Sequence, residues 1–434
     1  MLTGLRLERF KNFRDASLRI GPLTTIIGAN AAGKSNLRDA FRFLHGIARG
    51  YTLAEIIGEK WVEGGVLQWR GIRGGLRETA FESSDTFALS VEFKFDDKGD
   101  LRQGEYRIEV KVGDVRSGPL VVAERLVVPG RGQYIFDSHP SSNPPDQADP
   151  FHIAVRVRKE HRGFIGPQLT LVNSRPVISQ LLEHPNVPKP ARELARAAVR
   201  ELESFRFLDL SQEAMRAASI PGQTVLGDRG EHLSSVLNAI CQRPELKQAL
   251  TTWVQELTPM DAEDFDFPAD QGGRILLTLI EKSGQRITAN SASDGTLRFL
   301  AIIAALIGPN PSRFYFFEEL DNGIHPSRLH LLISLIEKTV REKPVQVVTT
   351  THSPYLLAQI QGAFLDHVSL AYRLPNHHEG RIIALLDVPG AAAVIRKQDL
   401  ARLHASGWME NAVFFGEGSE ERELTDNRQM PIKY

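Results

Sequence analysis

The chain has 434 residues, 42% hydrophobic and 24% charged, so it is long enough for two or three domains and is not disordered as a whole. Its 52 Lys and Arg balance 53 Asp and Glu, which excludes a basic nucleic-acid coat but leaves local basic patches open. A single cysteine, Cys241, excludes an intramolecular disulfide. No apolar run approaches the ~20 residues of a membrane span, so we expect a cytoplasmic protein without a membrane partner.

The N-terminal half predicts strands, then a helix, then more strands. Apolar residues alternate near residues 5–7 and 18–20, and residues 23–27 form a short apolar run typical of a buried parallel strand. A helix is predicted from Ser35 to about His45. Alternating patterns between residues 81 and 137 predict antiparallel strands. Residues 138–150 contain four prolines and predict a loop, and a helix is predicted between Pro190 and Phe205.

The last third of the chain alternates between strand and helix. Helices are predicted at residues 296–307 and near residues 329–336, and strands at residues 313–317, 345–349 and 381–388. No heptad pattern is sustained, so a long coiled-coil arm is not expected. This alternation indicates an α/β fold with a parallel sheet.

One motif has the spacing of a phosphate-binding loop. Residues 28–35 read GANAAGKS, which matches GxxxxGK[ST], after a predicted buried strand and before a predicted helix. Gly33 lets backbone N–H groups approach phosphate oxygens, and the helix N-terminus favours an anion. Lys34 is predicted to reach the β- and γ-phosphates, and the Ser35 hydroxyl to ligate Mg²⁺. The predicted nucleotide-binding residues of this loop and helix are Gly28, Asn30, Gly33, Lys34, Ser35 and Asn36.

Two carboxylates follow an apolar strand. Residues 314–317 read FYFF and precede Glu318 and Glu319. A buried parallel strand presents its last residues at the edge of the sheet where ligands bind. Glu318 is therefore predicted to assist Mg²⁺ and Glu319 to polarise the attacking water. A second strand ends in hydroxyls and His352, which we predict to lie beside the P-loop strand and to sense the γ-phosphate.

These motifs together resemble the ABC-type ATPases of the SMC/RecF group, which includes the ATPase halves of OLD-family proteins and short bacterial AAA-like ATPases without a long coiled coil. The resemblance rests on the opening LERFKNF, on SASDGT at residues 291–296, on EELDNGIHP at residues 318–326 and on TTHSP at residues 350–354. It covers about residues 1–80 and 200–415. Glu318 stands where the group usually has Asp, and Leu320 where it usually has Pro.

The resemblance implies further site residues. Ser293, Asp294 and Gly295 would form the signature motif, which in this group touches the γ-phosphate held by another subunit. The same residues are good caps for the helix that follows, which is the simpler interpretation. Gln68 is placed like the Q-loop glutamine that contacts Mg²⁺ and the water.

The predicted fold is an α/β P-loop NTPase of the ABC-head type with an antiparallel β subdomain and a compact α+β insertion. We expect an N-terminal lobe at residues 1–116, the insertion at 117–200, a C-terminal lobe at 201–415 and a tail at 416–434. The predicted reaction is hydrolysis of the β–γ phosphoanhydride of ATP with Mg²⁺, coupled to formation of a homodimer or higher homo-oligomer.

Two functions remain open. The resemblance implies a role in DNA repair or antiviral defence, with duplex DNA as a ligand and a separate nuclease or toxin effector. Three basic groups support it; they are Arg156, Arg158, Lys159, His161 and Arg162, then Arg192, Arg196 and Arg200, then Arg70, Arg73 and Arg77. Acidic neighbours allow the simpler interpretation of solvated faces. The alternative is a protein scaffold switched by ATP that controls an effector without binding DNA.

Overall fold

The computed structural model describes residues 1–97, 100–113, 118–128, 134–141, 145–146, 149–158, 166–257, 262–375, 377–395 and 400–414. Three members of one predicted basic group, Lys159, His161 and Arg162, lie outside these ranges, as does the predicted tail after residue 415.

The strands and helices alternate in blocks along the chain. The strands are β1 (Leu2–Phe10), β2 (Phe13–Arg19), β3 (Leu23–Ile27), β4 (Glu59–Val62), β5 (Val66–Arg70), β6 (Thr86–Asp97), β7 (Asp100–Lys111), β8 (Leu120–Val127), β9 (Phe136–Asp137), β10 (His152–Val157), β11 (Gln168–Val172), β12 (Phe205–Leu208), β13 (Ala262–Asp266), β14 (Thr278–Glu281), β15 (Arg286–Thr288), β16 (Phe314–Phe317), β17 (Gln346–Thr350), β18 (Val368–Arg373) and β19 (Gly380–Ala384). The helices are α1 (Lys34–Ala48), α2 (Leu53–Ile57), α3 (Val177–Leu181), α4 (Lys189–Glu203), α5 (Gln212–Arg216), α6 (Leu233–Cys241), α7 (Pro244–Leu257), α8 (Asp294–Ile307), α9 (Leu329–Glu342), α10 (Pro354–Leu357), α11 (Ala391–Ile395) and α12 (Leu400–Ala405).

The chain divides into two compact units that do not follow sequence order. The first contains Met1–Gly21, Asn30–Phe205 and Pro375–Ile382, and the second contains Pro22–Ala29, Arg206–Leu374 and Ile383–Tyr434. The four sequence segments expected above remain a prediction. The P-loop crosses from one unit to the other between Ala29 and Asn30.

The first unit is built on an antiparallel sheet. Its strands lie in the order β11-β10-β9-β8-β7-β6-β1-β2. The pairing of β6 with β7 and of β7 with β8 confirms the predicted antiparallel strands. Aromatic side chains fill the space under this sheet, where the rings of Phe10 and Phe43 each lie 5.4 Å from that of Phe87. Because Phe43 belongs to α1, this packing fixes the P-loop helix against the sheet.

The second unit holds a parallel sheet. β18, β3, β17 and β16 are neighbours in that order, with Thr24 opposite Val348 and Phe316 also opposite Val348. β3, β16 and β17 are buried at every position, as their continuous apolar sequences predict. The predicted position of the His352 strand beside the P-loop strand is therefore confirmed. Three strands thus end at one edge, where Gly28, Glu318 and Thr351 follow them.

Helices of the second unit bury a large apolar core against its parallel strands. From Thr296 to Ile307, α8 exposes almost no side chain except that of Arg298, which is partly exposed. Such a helix belongs in the centre of a domain. The helix predicted at residues 296–307 is confirmed, and its first turn carries the signature residues discussed below.

Several boundaries differ from the sequence predictions. The helix α4 ends at Glu203, because Phe205 begins β12 and buries its ring. The strand predicted at residues 381–388 ends at Ala384, and Leu385–Asp387 forms a 3₁₀ turn. Leu385 is fully buried in that turn, so its apolar character could not distinguish the two structures.

Candidate nucleotide site

The first half of the P-loop leaves β3 through a glycine that the fold requires. Gly28 has φ 136°, a conformation that residues with a side chain rarely adopt. A Cβ atom there would overlap the backbone carbonyl oxygen of Ala371, in β18. The motif glycine therefore allows the strand end to pack against its neighbour before the chain turns toward Asn30.

The second half of the P-loop forms the cap of α1. Gly33 has φ 107°, and a Cβ atom there would lie 2.6 Å from the ring of Phe13 and 2.7 Å from Oδ1 of Asn12. Lys34 is the first residue of α1 and only 8% exposed, while Ser35 and Asn36 are partly exposed. The loop therefore leads into a helix N-terminus next to a lysine, which is the arrangement that binds phosphate.

A polar network that the motif spacing does not reveal supports this helix. Nδ2 of Asn36 donates a hydrogen bond of 2.7 Å to Oδ1 of Asn12, whose own Nδ2 donates to the carbonyl of Ala32 at 3.4 Å. The β1–β2 turn is thus tied to both the P-loop and α1. The only signal for it in the sequence is the KNF segment after β1, which enters the prediction only as part of the family resemblance.

An ion cluster of two buried side chains and one exposed arginine forms around Asp39 of α1. Asp39 accepts two hydrogen bonds from Arg73, from Nε at 3.1 Å and Nη2 at 3.0 Å, and pairs with Nζ of Lys11 at 3.5 Å. Burial lowers the pKa of Lys11, while the charge of Asp39 opposes that shift. One member of the third predicted basic group is therefore engaged in an ion pair rather than presented as a free cation.

The carboxyl end of β16 presents both predicted carboxylates. Glu318 is partly buried and Glu319 is exposed. Glu319 has φ 50°, in the left-handed region that is uncommon for residues other than glycine. Its backbone N–H donates to Oγ1 of Thr350 at 3.1 Å, and its carbonyl accepts from Nη2 of Arg298 at 3.0 Å. Both sides of this unusual backbone conformation are thus held by hydrogen bonds.

The neighbouring strand ends in a hydroxyl that orders the following loop. Oγ1 of Thr351 donates to Oδ1 of Asp321 at 2.6 Å and accepts from the backbone N–H of Ser353 at 2.9 Å. His352 lies between these two residues and is partly exposed. The structure therefore places the predicted sensor histidine at the same sheet edge as Glu318 and Glu319.

The predicted signature residues begin α8. Ser293 is the N-cap, and its hydroxyl accepts a hydrogen bond of 3.1 Å from the backbone N–H of Thr296, so the capping prediction is confirmed. Asp294 pairs with Arg216 at 2.7 Å. A Cβ atom on Gly295 would lie 2.8 Å from the carbonyl oxygen of Gly323, so the signature glycine permits close backbone approach.

The predicted metal contact Gln68 and the predicted basic group on α4 have less support from the structure than the residues above. Gln68 lies exposed on β5 of a β4–β5 hairpin, where its predicted metal role stays a prediction. On α4, Arg196 and Arg200 are exposed, but Nη2 of Arg192 donates to the carbonyl of His184 at 2.7 Å. The i, i+4, i+8 spacing predicts that these arginines share one face of α4. Arg192 instead forms a hydrogen bond with the loop before the helix.

The donor chemistry fits Mg²⁺ with a nucleotide. Each predicted ligand has suitable chemistry by itself: Ser35, in the first unit, offers a hydroxyl, and Glu318, in the second unit, offers a carboxylate oxygen. The helix N-terminus and Lys34 supply the positive charge that a triphosphate needs.

A protein-family model described as "AAA domain, putative AbiEii toxin, Type IV TA system" matches residues 23–358. A protein of Helicobacter pylori named "ATP/GTP phosphatase" is 20% identical over 365 residues, which are 81% of this chain and 85% of that protein.

Two solved structures are also similar to this chain. An SMC head bound to the C-terminal winged-helix domain of ScpA has 13% identity and a TM-score of 0.48, covering 88% of this chain and 97% of that one. The SMC head domain of Thermotoga maritima has 12% identity and a TM-score of 0.41, covering 88% and 98%. Among the described residues, no helix is long and apolar enough to span a membrane.

Proposed function

The chain belongs to this AAA-domain family and is an ATPase with a P-loop NTPase fold, and on that premise we propose that it is an ATP-driven switch that assembles with further copies of itself. The observation that carries the proposal is the backbone of Glu319. It is held in a left-handed conformation at the sheet edge where the P-loop strand also ends.

The proposed chemistry divides among residues already described. Lys34 and the N–H groups of the P-loop bind the β- and γ-phosphates, with Gly28, Asn30 and Asn36 shaping the loop and its helix. Ser35 and Glu318 would hold Mg²⁺, with Gln68 as a further predicted contact. When bound, Mg²⁺ supplies positive charge against the triphosphate.

Glu319 is proposed to act on the water that attacks the γ-phosphate. Its exposed carboxylate accepts a hydrogen bond from that water and orients it toward the γ-phosphate. His352 contacts the γ-phosphate and distinguishes ATP from ADP. In this proposal Glu319 orients the water for the chemical step, and His352, after the neighbouring strand, senses the nucleotide state.

The proposed assembly uses the signature of a second copy. Ser293, Asp294 and Gly295 form an exposed to partly exposed helix N-terminus that is suited to an anion. In the proposed oligomer it contacts the γ-phosphate held by the P-loop of another copy. Each site then needs Lys34 from one chain and Ser293 from another.

Mixing two inactive variants tests this shared site. Lys34→Ala and Ser293→Ala should each abolish ATP turnover, and their mixture should regain part of it, because a mixed pair contains one site with both intact residues. A mixture that stays inactive, while each variant retains the thermal midpoint of the wild type, would contradict the shared site. Arg274→Ala, an exposed arginine paired with Asp270, is a matched control that should leave turnover unchanged.

The biological role that we propose is in DNA repair or antiviral defence, with a separate nuclease or toxin effector. The family description, which names a toxin, supports an effector, and the exposed Arg196 and Arg200 support binding of duplex DNA. The expected result is that duplex DNA stimulates ATP hydrolysis, that salt weakens this effect, and that Arg196→Ala with Arg200→Ala removes it. Hydrolysis that is indifferent to DNA would favour the alternative, a scaffold switched by ATP whose ligand is a protein.

A further inference from the structure

Arg298 connects the signature helix with the catalytic end of β16. It lies in the second turn of α8, and its Nη2 donates to the carbonyl of Glu319 at 3.0 Å and to that of Glu318 at 3.5 Å. These are the backbone carbonyls of Glu319, which is predicted to be catalytic, and of Glu318, which is predicted to be a Mg²⁺ ligand. One guanidinium therefore holds the segment from which both side chains extend.

This contact acts on a backbone conformation that is unfavourable by itself. A residue with a Cβ atom is strained in the left-handed region, and this conformation persists only when the surroundings hold it. For Glu319 the N–H side is held by Thr350, and the C=O side is held by Arg298 and by the backbone N–H of Asn322, which donates at 2.9 Å. Removing Thr350 or Arg298 weakens the hold on this peptide although the Asn322 bond remains, and we expect the Glu319 side chain to change direction.

The setting of Arg298 indicates a dedicated role rather than a surface ion pair. Burial lowers the pKa of Arg298, while the carboxylates of Asp209, Asp321 and Glu319 oppose that shift, so the group stays charged at neutral pH. Within the described residues, its buried Nε has no hydrogen-bond partner. A buried unsatisfied donor costs stability, and such groups persist where function requires them.

The same helix is fixed at its signature end. Ser293 caps it, and Arg216 connects Asp294 to the carbonyl of Ala292, to which it donates at 2.8 Å. The close approach of Gly295 to Gly323 joins that end to the loop after Glu319. The signature end of α8 and the loop after Glu319 are thus in contact, and α8 also carries Arg298.

We propose that Arg298 is a positioning residue that couples the signature of a chain to the orientation of Glu319 in the same chain. This inference rests on the proposed function, because it assigns Glu319 to the attacking water and Ser293 to the nucleotide of another copy. Contact of Ser293 with one ATP then sets Glu319 over the ATP held by its own chain. Hydrolysis at the two sites is consequently cooperative.

Substitution of Arg298 should separate turnover from binding. Arg298→Ala should lower kcat about ten- to a hundredfold, which corresponds to the loss of a hydrogen bond from a charged donor, and should leave the KM for ATP unchanged. Arg298→Lys keeps one cationic donor and should restore part of kcat. Millimolar guanidinium should raise kcat of Arg298→Ala, which a merely structural loss would not allow. Arg274→Ala, on the same unit, is the matched control.

A double substitution separates the test of the positioning role of Arg298 from the test of the proposed role of Glu319. If Arg298 acts through Glu319, Arg298→Ala should add no loss of kcat to Glu319→Gln. Wild-type kcat in folded Arg298→Ala, or a full additional loss in the double variant, would overturn the positioning role and leave the function intact. Wild-type kcat in Glu319→Gln would instead overturn the proposed role of Glu319.

Discussion

The backbone N–H of Glu319 donates a hydrogen bond of 3.1 Å to the hydroxyl of Thr350, which joins the end of β16 to the end of β17. Thr350 is 3% exposed, so water does not readily replace this acceptor. The bond fixes the direction in which the chain leaves β16. We therefore expect position 350 to affect catalysis through the backbone of Glu319.

Thr350→Val removes the acceptor and keeps the shape of the side chain. An unsatisfied buried N–H costs about 1–3 kcal/mol, and if half of that cost appears in the transition state kcat falls roughly three- to tenfold. Thr350→Ser keeps the hydroxyl and is the control. Steady-state ATP hydrolysis, measured beside thermal midpoints, tests this. Equal kcat in the Val and Ser variants would show that the bond does not orient Glu319.

Gly33→Ala should impair nucleotide binding more than stability. The added Cβ would contact Phe13 and Asn12 and would displace the P-loop from the phosphates. Gly50→Ala is the matched control, because Gly50 has φ 72° and a Cβ atom there would meet no heavy atom within 4 Å. Both variants carry the left-handed cost of roughly 1–2 kcal/mol. Titration with a fluorescent ATP analogue should show at least tenfold weaker binding only in Gly33→Ala.

Glu124 gives the first unit a pH-dependent stability. Burial raises the pKa of this carboxyl to about 7, although it accepts hydrogen bonds from the N–H groups of Val177 and Ile178 and the hydroxyl of Tyr106. The folded state then holds its proton more tightly than the unfolded state. The contribution of the protonated Glu124 carboxyl to the free energy of unfolding is complete below pH ~4.5 and is lost as the pH rises through about 7.

A comparison with Glu124→Gln, which cannot ionise, tests whether stability falls as the pH rises. The thermal midpoint of the wild type should fall relative to that of Glu124→Gln between pH 5 and pH 8, because its free energy of unfolding falls by an amount of order a few kcal/mol at most. Parallel pH profiles for the two proteins would show that this carboxyl does not change its charge in the folded state over that range.

The parts of the site that depend on local sequence were predictable. The P-loop combines a strand, a glycine turn and a helix N-terminus within a few residues, and Ser293 caps a helix three residues ahead of its donor, so spacing alone reveals both. The positions of Glu318 and His352 followed because a buried parallel strand must deliver its end to the ligand edge.

The parts that depend on distant contacts were not predictable. Arg298 and Glu319 are 21 residues apart, and nothing in the helical pattern of α8 indicates that this arginine faces a backbone carbonyl. The left-handed conformation of Glu319 is equally hidden, because position 319 itself is neither glycine nor asparagine. The helical spacing predicts Arg192 as part of a basic stripe, but its guanidinium donates to the carbonyl of His184 in the loop before α4.

The ATP hydrolysis rate of the purified chain, measured beside Lys34→Ala and Glu319→Gln, tests the central claim most directly. The wild type should hydrolyse ATP, and Lys34→Ala should neither bind nor hydrolyse it. Glu319→Gln should bind ATP, accumulate as an ATP-bound oligomer and turn over at least about a hundredfold more slowly, as expected for loss of a general base. Wild-type turnover in either variant, with folding intact, would contradict the account.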